Sequence, residues 1–243
     1  MPPAARVDAP SDTPRRRPGR PRLTEPSPEY VRRLEEIIET GIKVFHDRGY
    51  DAGTLDDVAA ALDLRRASLY HYLRSKGELL YLIFDRAITT ALGRLDQIST
   101  IADPLEQLAA FIAHQSRMVC HDPGLFAVNF DQRGRLEEPF SSKILTKERE
   151  YVRRVTAMVQ RAAAAGQLEG VDTRYSTQSL IGMTTWVYKW FDPARDNADD
   201  VARTMIRLVL GDRVDIEKAL ASTSGTDARP PTTPGTDAGT SGR

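Results

Sequence analysis

Apolar residues recur every three or four positions along most of the chain, the period of helices that each bury one face. Val31, Leu34, Ile38, Ile42 and Phe45 form the first such stripe, opened by Ser27-Pro28-Glu29 and closed by Gly49. Serine can accept from the free amides of a first turn, proline fits that turn, and an acid suits the positive end of the helix dipole. Thr54 caps the next segment, with Asp57 three residues on as an imperfect capping box. Val58, Ala59 and Leu62 face its core, and Asp63-Leu64 makes a tight turn into a short helix from about Arg66 to Leu73. Ser75-Lys76-Gly77-Glu78 is a Ser-x-x-Glu capping box for a long fourth helix through Leu80, Ile83, Ala87, Leu92 and Leu95.

The pattern restarts at Asp103-Pro104, where Leu105, Leu108, Phe111, Ile112 and Met118 predict a helix that stops before Pro123. A short apolar piece runs from Leu125 to Phe130. Helices are then expected over about 142–165, 173–191 and 198–210, ended by Gly166, Pro193 and Gly211. β-branched runs are scarce, so the fold class is all-α. Residues 27–75 read as a small three-helix domain and 76–220 as a larger helical one. Residues 1–26, rich in proline and arginine, and 221–243, rich in threonine, glycine and proline, read as disordered arms.

Composition adds limits. Apolar residues are 40% and charged residues 28% of the chain, as in soluble globular proteins. No apolar run approaches the roughly 20 residues of a membrane span, and no apolar stretch follows the N-terminal arginines as in a secretory signal. Cys120 is the only cysteine, so the simplest setting is a reducing cytoplasm. The net charge is zero, but its distribution is uneven. Arg15, Arg16, Arg17, Arg20 and Arg22 lie in an acid-free stretch, as do Arg65, Arg66, Arg74 and Lys76, while Glu35, Glu36 and Glu39 lie elsewhere. Two basic stretches in a neutral molecule suggest one nucleic-acid-facing end.

The second basic stretch carries the most chemistry. Two short helices joined by a tight turn put Arg65, Arg66, Ser68, Tyr70 and His71 on an element small enough to enter a DNA major groove. Lys76 opens the next helix, where a cation opposes the dipole unless an anion such as a backbone phosphate joins it. Thr54, Val58-Ala59, Leu64, Leu69-Tyr70, Ser75-Lys76 and Leu79 together resemble the N-terminal signature of the TetR family of bacterial repressors over about residues 33–82.

The resemblance implies a DNA-binding head followed by a ligand-binding and dimerising domain. Thr54, Tyr70, His71 and Lys76 would then touch phosphates, and Arg65, Arg66 and Ser68 would face bases. The sequence departs from the family where a turn glycine is usual (here Leu62-Asp63), where a serine caps the recognition helix (here Arg65), and where an aromatic stands at Leu73. Arg17-Pro18-Gly19-Arg20-Pro21-Arg22 resembles an AT-hook, with Arg17, Arg20 and Arg22 placed to enter a minor groove.

In the larger domain, Phe111, His114, Gln115, Met118, Phe126, Phe130, Tyr151, Met158, Met183 and Trp186 are the candidate ligand-binding residues. An aromatic and methionine stripe is ordinarily core, and it is the polar groups among these that favour a pocket. Arg117 and Arg133 could pair with a ligand anion, although solvated surface arginine is the plainer reading of each. Thr184 to Phe191 resembles the eighth helix of TetR regulators of lipid and sterol breakdown, several of which sense acyl-CoA thioesters. Family topology places the last two long helices in a dimer bundle, with Val187, Phe191, Met205, Leu208 and Val209 as interface candidates.

Cys120, His121 and His114 make three ligands where a structural zinc site takes four, so no metal or other cofactor is expected. There is no phosphate-binding glycine loop and no nucleophile elbow, which argues against an enzyme. The expected partners are double-stranded operator DNA, a small hydrophobic ligand such as an acyl-CoA, and a second copy of the chain, with no membrane. An architectural DNA-binding protein without a sensor, and a helical ligand-binding protein that keeps the motif, are the alternatives.

Overall fold

Side-chain caps begin four of the helices at the residues the sequence marks, Ser27, Thr54, Ser75 and Asp103. A computed structural model describes residues 26–223, and among these there are helices and turns but no strand. Helix α1 (Pro28–Arg48) starts at Ser27, whose hydroxyl accepts from the Tyr30 amide at 3.2 Å, and ends at Gly49, whose φ of +77° suits glycine. Helix α2 (Leu55–Ala61) has a complete capping box: the Asp57 amide donates to the Thr54 hydroxyl at 3.1 Å, and the Thr54 amide donates to the Asp57 carboxylate at 2.9 Å.

Helix α3 (Arg66–Leu69) is followed by α4 (Lys76–Ile98), whose Ser75 cap accepts from the Glu78 amide at 3.1 Å. The Glu78 carboxylate accepts from the Arg74 amide, one residue earlier than the capping box predicts. Asp103 and Asp122 cap α5 (Pro104–His121) and α6 (Pro123–Asp131). Helices α7 (Phe140–Ala164), α8 (Thr173–Thr185), α9 (Ala198–Leu210) and α10 (Ile216–Thr223) complete the described chain.

Three expected boundaries change. The helix expected from Arg66 to Leu73 stops at Leu69 and continues as turns, with the His71 amide bonded to the Ser68 carbonyl and the Tyr72 amide to the Leu69 carbonyl. The helix expected to reach Phe191 ends at Thr185 and tightens into a 3₁₀ turn, Trp186–Lys189. The Thr184 hydroxyl donates back to the Leu180 carbonyl at 2.7 Å, a bond that weakens and bends helices. The stretch from 221, read as disordered, carries the end of α10 through buried Thr223. Two turns are too short for their period to stand out, yet Arg117 fixes them by donating to the Leu220 carbonyl at 2.6 Å and the Thr223 hydroxyl at 2.5 Å.

Two apolar clusters form the interior. One joins α1, α2 and α3 through Leu34, Ile38, Phe45, Val58 and Leu69 to the first half of α4 and to α6. The other gathers α5, α7, α9 and α10 around the second half of α4. Helix α4 therefore belongs to both. Gly41 lets α1 approach it closely: a Cβ there would lie 2.8 Å from the Leu79 Cδ2. No helix among the described residues is long and apolar enough to cross a membrane.

Candidate DNA interface and sensor cavity

The turn between α2 and α3 solves the problem of the absent glycine. Asp63 takes φ +52°, a left-handed conformation that aspartate and asparagine tolerate better than most side chains. The Leu64 amide donates to the Ala59 carbonyl at 2.8 Å and the Asp63 amide to the Ala60 carbonyl at 3.2 Å. These are the two bonds of a Schellman motif, and Leu64 packs back on the core as that motif requires. Asp63 thus stands at the left-handed position and sets the angle at which α3 leaves α2.

On α3, buried Leu69 anchors the helix while Arg65, Arg66, Tyr70 and His71 remain exposed and Ser68 is half-buried. Arg65 takes the N-cap position without a side-chain bond to an amide. The Arg66 guanidinium donates to Asp56 at 2.9 Å and to the Tyr70 hydroxyl at 3.4 Å. An exposed pair of this kind contributes only about 0–1 kcal/mol, so it orients Arg66 without locking it away from a base. Thr54 sits at the rim, its hydroxyl proton given to Asp57 at 2.7 Å. Lys76 is half-buried: its ammonium lies 4.3 Å from the centre of the Tyr50 ring and 3.2 Å from the Asp51 carbonyl oxygen. Arg17, Arg20 and Arg22 lie outside the described residues.

A cavity of about 560 Å³ lies where α1, α4, α5 and α6 meet. Its apolar wall includes Ile42, Ala87, Met118, Leu125 and Phe126, and its polar wall includes Glu39, Lys43, Arg86, Arg94, His114, His121 and Asp122. A smaller cavity of about 210 Å³ shares Arg94 and His114 and is lined on the far side by Ser222 and Thr223. Burial, then the neighbouring Arg94 and Arg117 guanidiniums, lowers the His114 pKa to about 4. Its ring is therefore neutral at pH 7, and Nε2 is buried without a hydrogen-bond partner. The Cys120 thiol is pushed up to about 12, first by burial and then by Asp196, which leaves it protonated.

Of the sequence candidates for ligand binding, His114, Met118 and Phe126 line the larger cavity. Phe111, Tyr151 and Met158 belong to the second apolar cluster instead, and Met183 packs at its edge. Gln115 is engaged within the fold, accepting from the buried Tyr151 hydroxyl at 2.9 Å. Phe130 and Trp186 are on the surface; Phe130 stacks on Tyr188, with ring centres 5.8 Å apart.

Arg117 is a brace rather than a solvated cation, holding Asp199 at 2.6 Å as well as the end of α10. Arg133 grips Glu148 with two nitrogens, both at 3.0 Å. Sequence reasoning missed Arg86, Arg94 and the α1 residues Glu39, Ile42 and Lys43 as cavity wall. Periodicity shows which face a helix buries but not where two buried faces fail to meet.

The interface candidates divide. Val187 is 0% exposed within its own chain, so it is core, buried by the 3₁₀ turn that turns it inward. Phe191, Met205 and Val209 are half-buried, and Leu208 is 80% exposed. Tyr175, Gln178, Ser179, Gly182 and Trp186 form an exposed stripe on and just beyond α8. It is a contiguous apolar patch on a bundle surface, rather than one exposed leucine, that marks association.

Two family models match the sequence: "Bacterial regulatory proteins, tetR family" over residues 37–81, and "Tetracyclin repressor-like, C-terminal domain" over residues 102–212. The sequence is 28% identical over 186 residues to the HTH-type transcriptional repressor KstR2 of Mycolicibacterium smegmatis, covering 74% of this chain and 89% of that one. The fold is similar to that of AibR in complex with isovaleryl coenzyme A and operator DNA. That match has a TM-score of 0.68 and 26% identity over 74% of this chain and 98% of AibR. The TetR family regulator PfmR from Thermus thermophilus gives a TM-score of 0.68 and 28% identity, covering 72% and 96% of the two chains.

Proposed function

Because the chain belongs to the TetR family of bacterial DNA-binding transcriptional regulators, we propose that it is a homodimeric repressor that a small ligand releases from a palindromic operator. The observation that carries this reading is the cavity whose wall includes α1, a helix of the DNA-binding head. A molecule that fills it touches head and sensor at once, and it can favour a state in which the two heads of a dimer no longer match the half-site spacing. Arg65, Arg66 and Ser68 face bases, and Thr54, Tyr70, His71 and Lys76 the phosphates. Arg17, Arg20 and Arg22 extend the contact into the minor groove.

The ligand is hydrophobic, with acyl-CoA thioesters the first class to try. The apolar wall of the cavity supports this, and so does the likeness to AibR, which binds isovaleryl coenzyme A. The exposed Leu208 and the stripe from Tyr175 to Trp186 support pairing through α8 and α9. Selection of bound sequences from random DNA should return an inverted repeat, and acyl-CoA esters should release it. Leu208→Glu should give a monomer in sedimentation that no longer holds the repeat. Recovery of sequences without two-fold symmetry would overturn the proposal.

A further inference from the structure

Arg86 is buried under poor terms. Its side chain is 3% exposed, and it reaches from α4 to two other elements. Nη1 lies 3.4 Å from Glu35 Oε2 on α1, and Nη2 lies 3.7 Å from Asp122 Oδ2 at the cap of α6. The first is a long hydrogen bond and the second is too long to be one. Nη2 is a buried nitrogen with no hydrogen-bond partner. A buried guanidinium ordinarily has most of its five donors satisfied at short range, since two distant acids repay little of its desolvation. Asp122 is also occupied, accepting from the Leu125 amide at 2.9 Å. Arg86 is one of the residues that line the cavity, together with the apolar Met118, Leu125 and Phe126, and its buried Nη2 lies behind that wall.

We infer that the cavity takes an apolar molecule bearing an oxyanion, that Arg86 binds the oxyanion, and that it does so in competition with Glu35. This rests on the reading of the chain as a ligand-released regulator and deepens it. An oxyanion at Nη2 supplies the short, charge-assisted hydrogen bonds that the two acids do not. Drawing the guanidinium toward the cavity lengthens its contact with Glu35, the ion pair that ties α1 to α4. The oxyanion can be the carboxylate of a free acid or a phosphate of a coenzyme A thioester; the cavity chemistry is the same.

The test uses octanoate, octan-1-ol and octanoyl-coenzyme A, with binding read by thermal shift and by release of the selected operator. Wild-type protein should bind the better of the two anions at least about tenfold tighter than the alcohol. Which anion is better identifies the source. Arg86→Gln should keep its alcohol binding, yet lose about tenfold or more for that anion. Glu35→Gln removes the competing acid and should bind the anion about threefold tighter or better. A purely structural Arg86 would lower the melting temperature in both variants without changing the ratio of anion to alcohol. Equal binding of all three probes by the wild type, or an anion loss below about threefold in Arg86→Gln, overturns the inference and leaves the regulator standing. If none of the three binds, and no acyl-CoA ester releases the operator, both readings fall.

Discussion

His114 makes stability depend on pH in a window that can be stated in advance. Its imidazole is 7% exposed and stands between the two cavities, with Arg94 and Arg117 the charges that act on it. Burial holds its pKa at about 4, against about 6.5 for a histidine in the unfolded chain. The unfolded chain takes up a proton as the pH falls through 6.5, whereas the folded chain does not until about 4. Stability is therefore lost on acidification between these two values and is unaffected above them. The full loss is about 3 kcal/mol, of which about 1.4 kcal/mol has accrued by pH 5.5.

In a chain of this size, that corresponds to a drop of roughly 3–5 °C in melting temperature between pH 7.5 and 5.5. The assay is urea unfolding of wild type and His114→Gln at pH 7.5, 6.5 and 5.5. The variant lacks this titration while His46, His71 and His121 remain in both, so the difference between the two proteins isolates His114. Wild type should lose about 1.4 kcal/mol more than the variant at pH 5.5. Parallel pH profiles for the two would refute the buried neutral imidazole.

Four other outcomes follow from the head. Arg66→Ala should weaken operator binding by about 1–3 kcal/mol and relax preference at one base pair; an equal loss on random DNA, measured by competition, would remove its base-reading role. Lys76→Ala should weaken specific and random DNA alike and reduce the salt slope by about one. It should also cost about 0.5–1 kcal/mol of stability through the lost Tyr50 ring contact, and a stability loss with an unchanged salt slope would leave Lys76 only a brace. Asp63→Gly should raise stability by up to about 1 kcal/mol in urea titrations, because glycine meets no steric penalty at φ +52°, and a decrease would mean that the Asp63 side chain matters more than its backbone. Gly41→Ala should lose roughly 1–2 kcal/mol, since its methyl must displace buried Leu79, and Leu79→Val in the same chain should recover part of that loss in a double-mutant cycle.

Local signals carried well where they rest on one or two residues acting on their own backbone. Ser27, Thr54, Ser75 and Asp103 mark helix starts because an oxygen a fixed number of residues before an amide can reach it whatever the rest of the chain does. The exposure of Arg65 and Arg66 on α3 was legible for another reason, that unpaired cations are rarely buried. What the sequence hid depends on contacts between distant segments. Arg117 reads as a surface cation until α10, about one hundred residues later, folds against it. Phe111 and Met118 share a helix and a stripe, yet Met118 meets the cavity and Phe111 the solid core. Asp63 was visible as a departure from a glycine, but its adequacy depends on a backbone angle that residue identity alone does not give.

The same long-range contacts supply the route that the proposed ligand release would take from the cavity to the DNA-binding head. Helix α4 spans 23 residues, about 34 Å at helical rise. Its first half, from Leu79 to Ala87, is built into the cluster of the head, and its second half, from Ala91 to Ile98, into that of the sensor. Ion pairs from Lys147 to Asp85 and from Arg154 to Asp96 fasten α7 along it. The cavity borders α4 through Arg86, Ala87, Thr90 and Arg94, across the junction of the two clusters. Packed interiors resist gradual deformation, so on the proposed reading a change at that junction would be expressed as a shift of the whole rod. At the rod's N-terminal end stand Lys76, Tyr50 and the turn that follows α3. On the proposed reading, a displacement there would carry Lys76 and the turn after α3 with it and so alter the fit to a half-site.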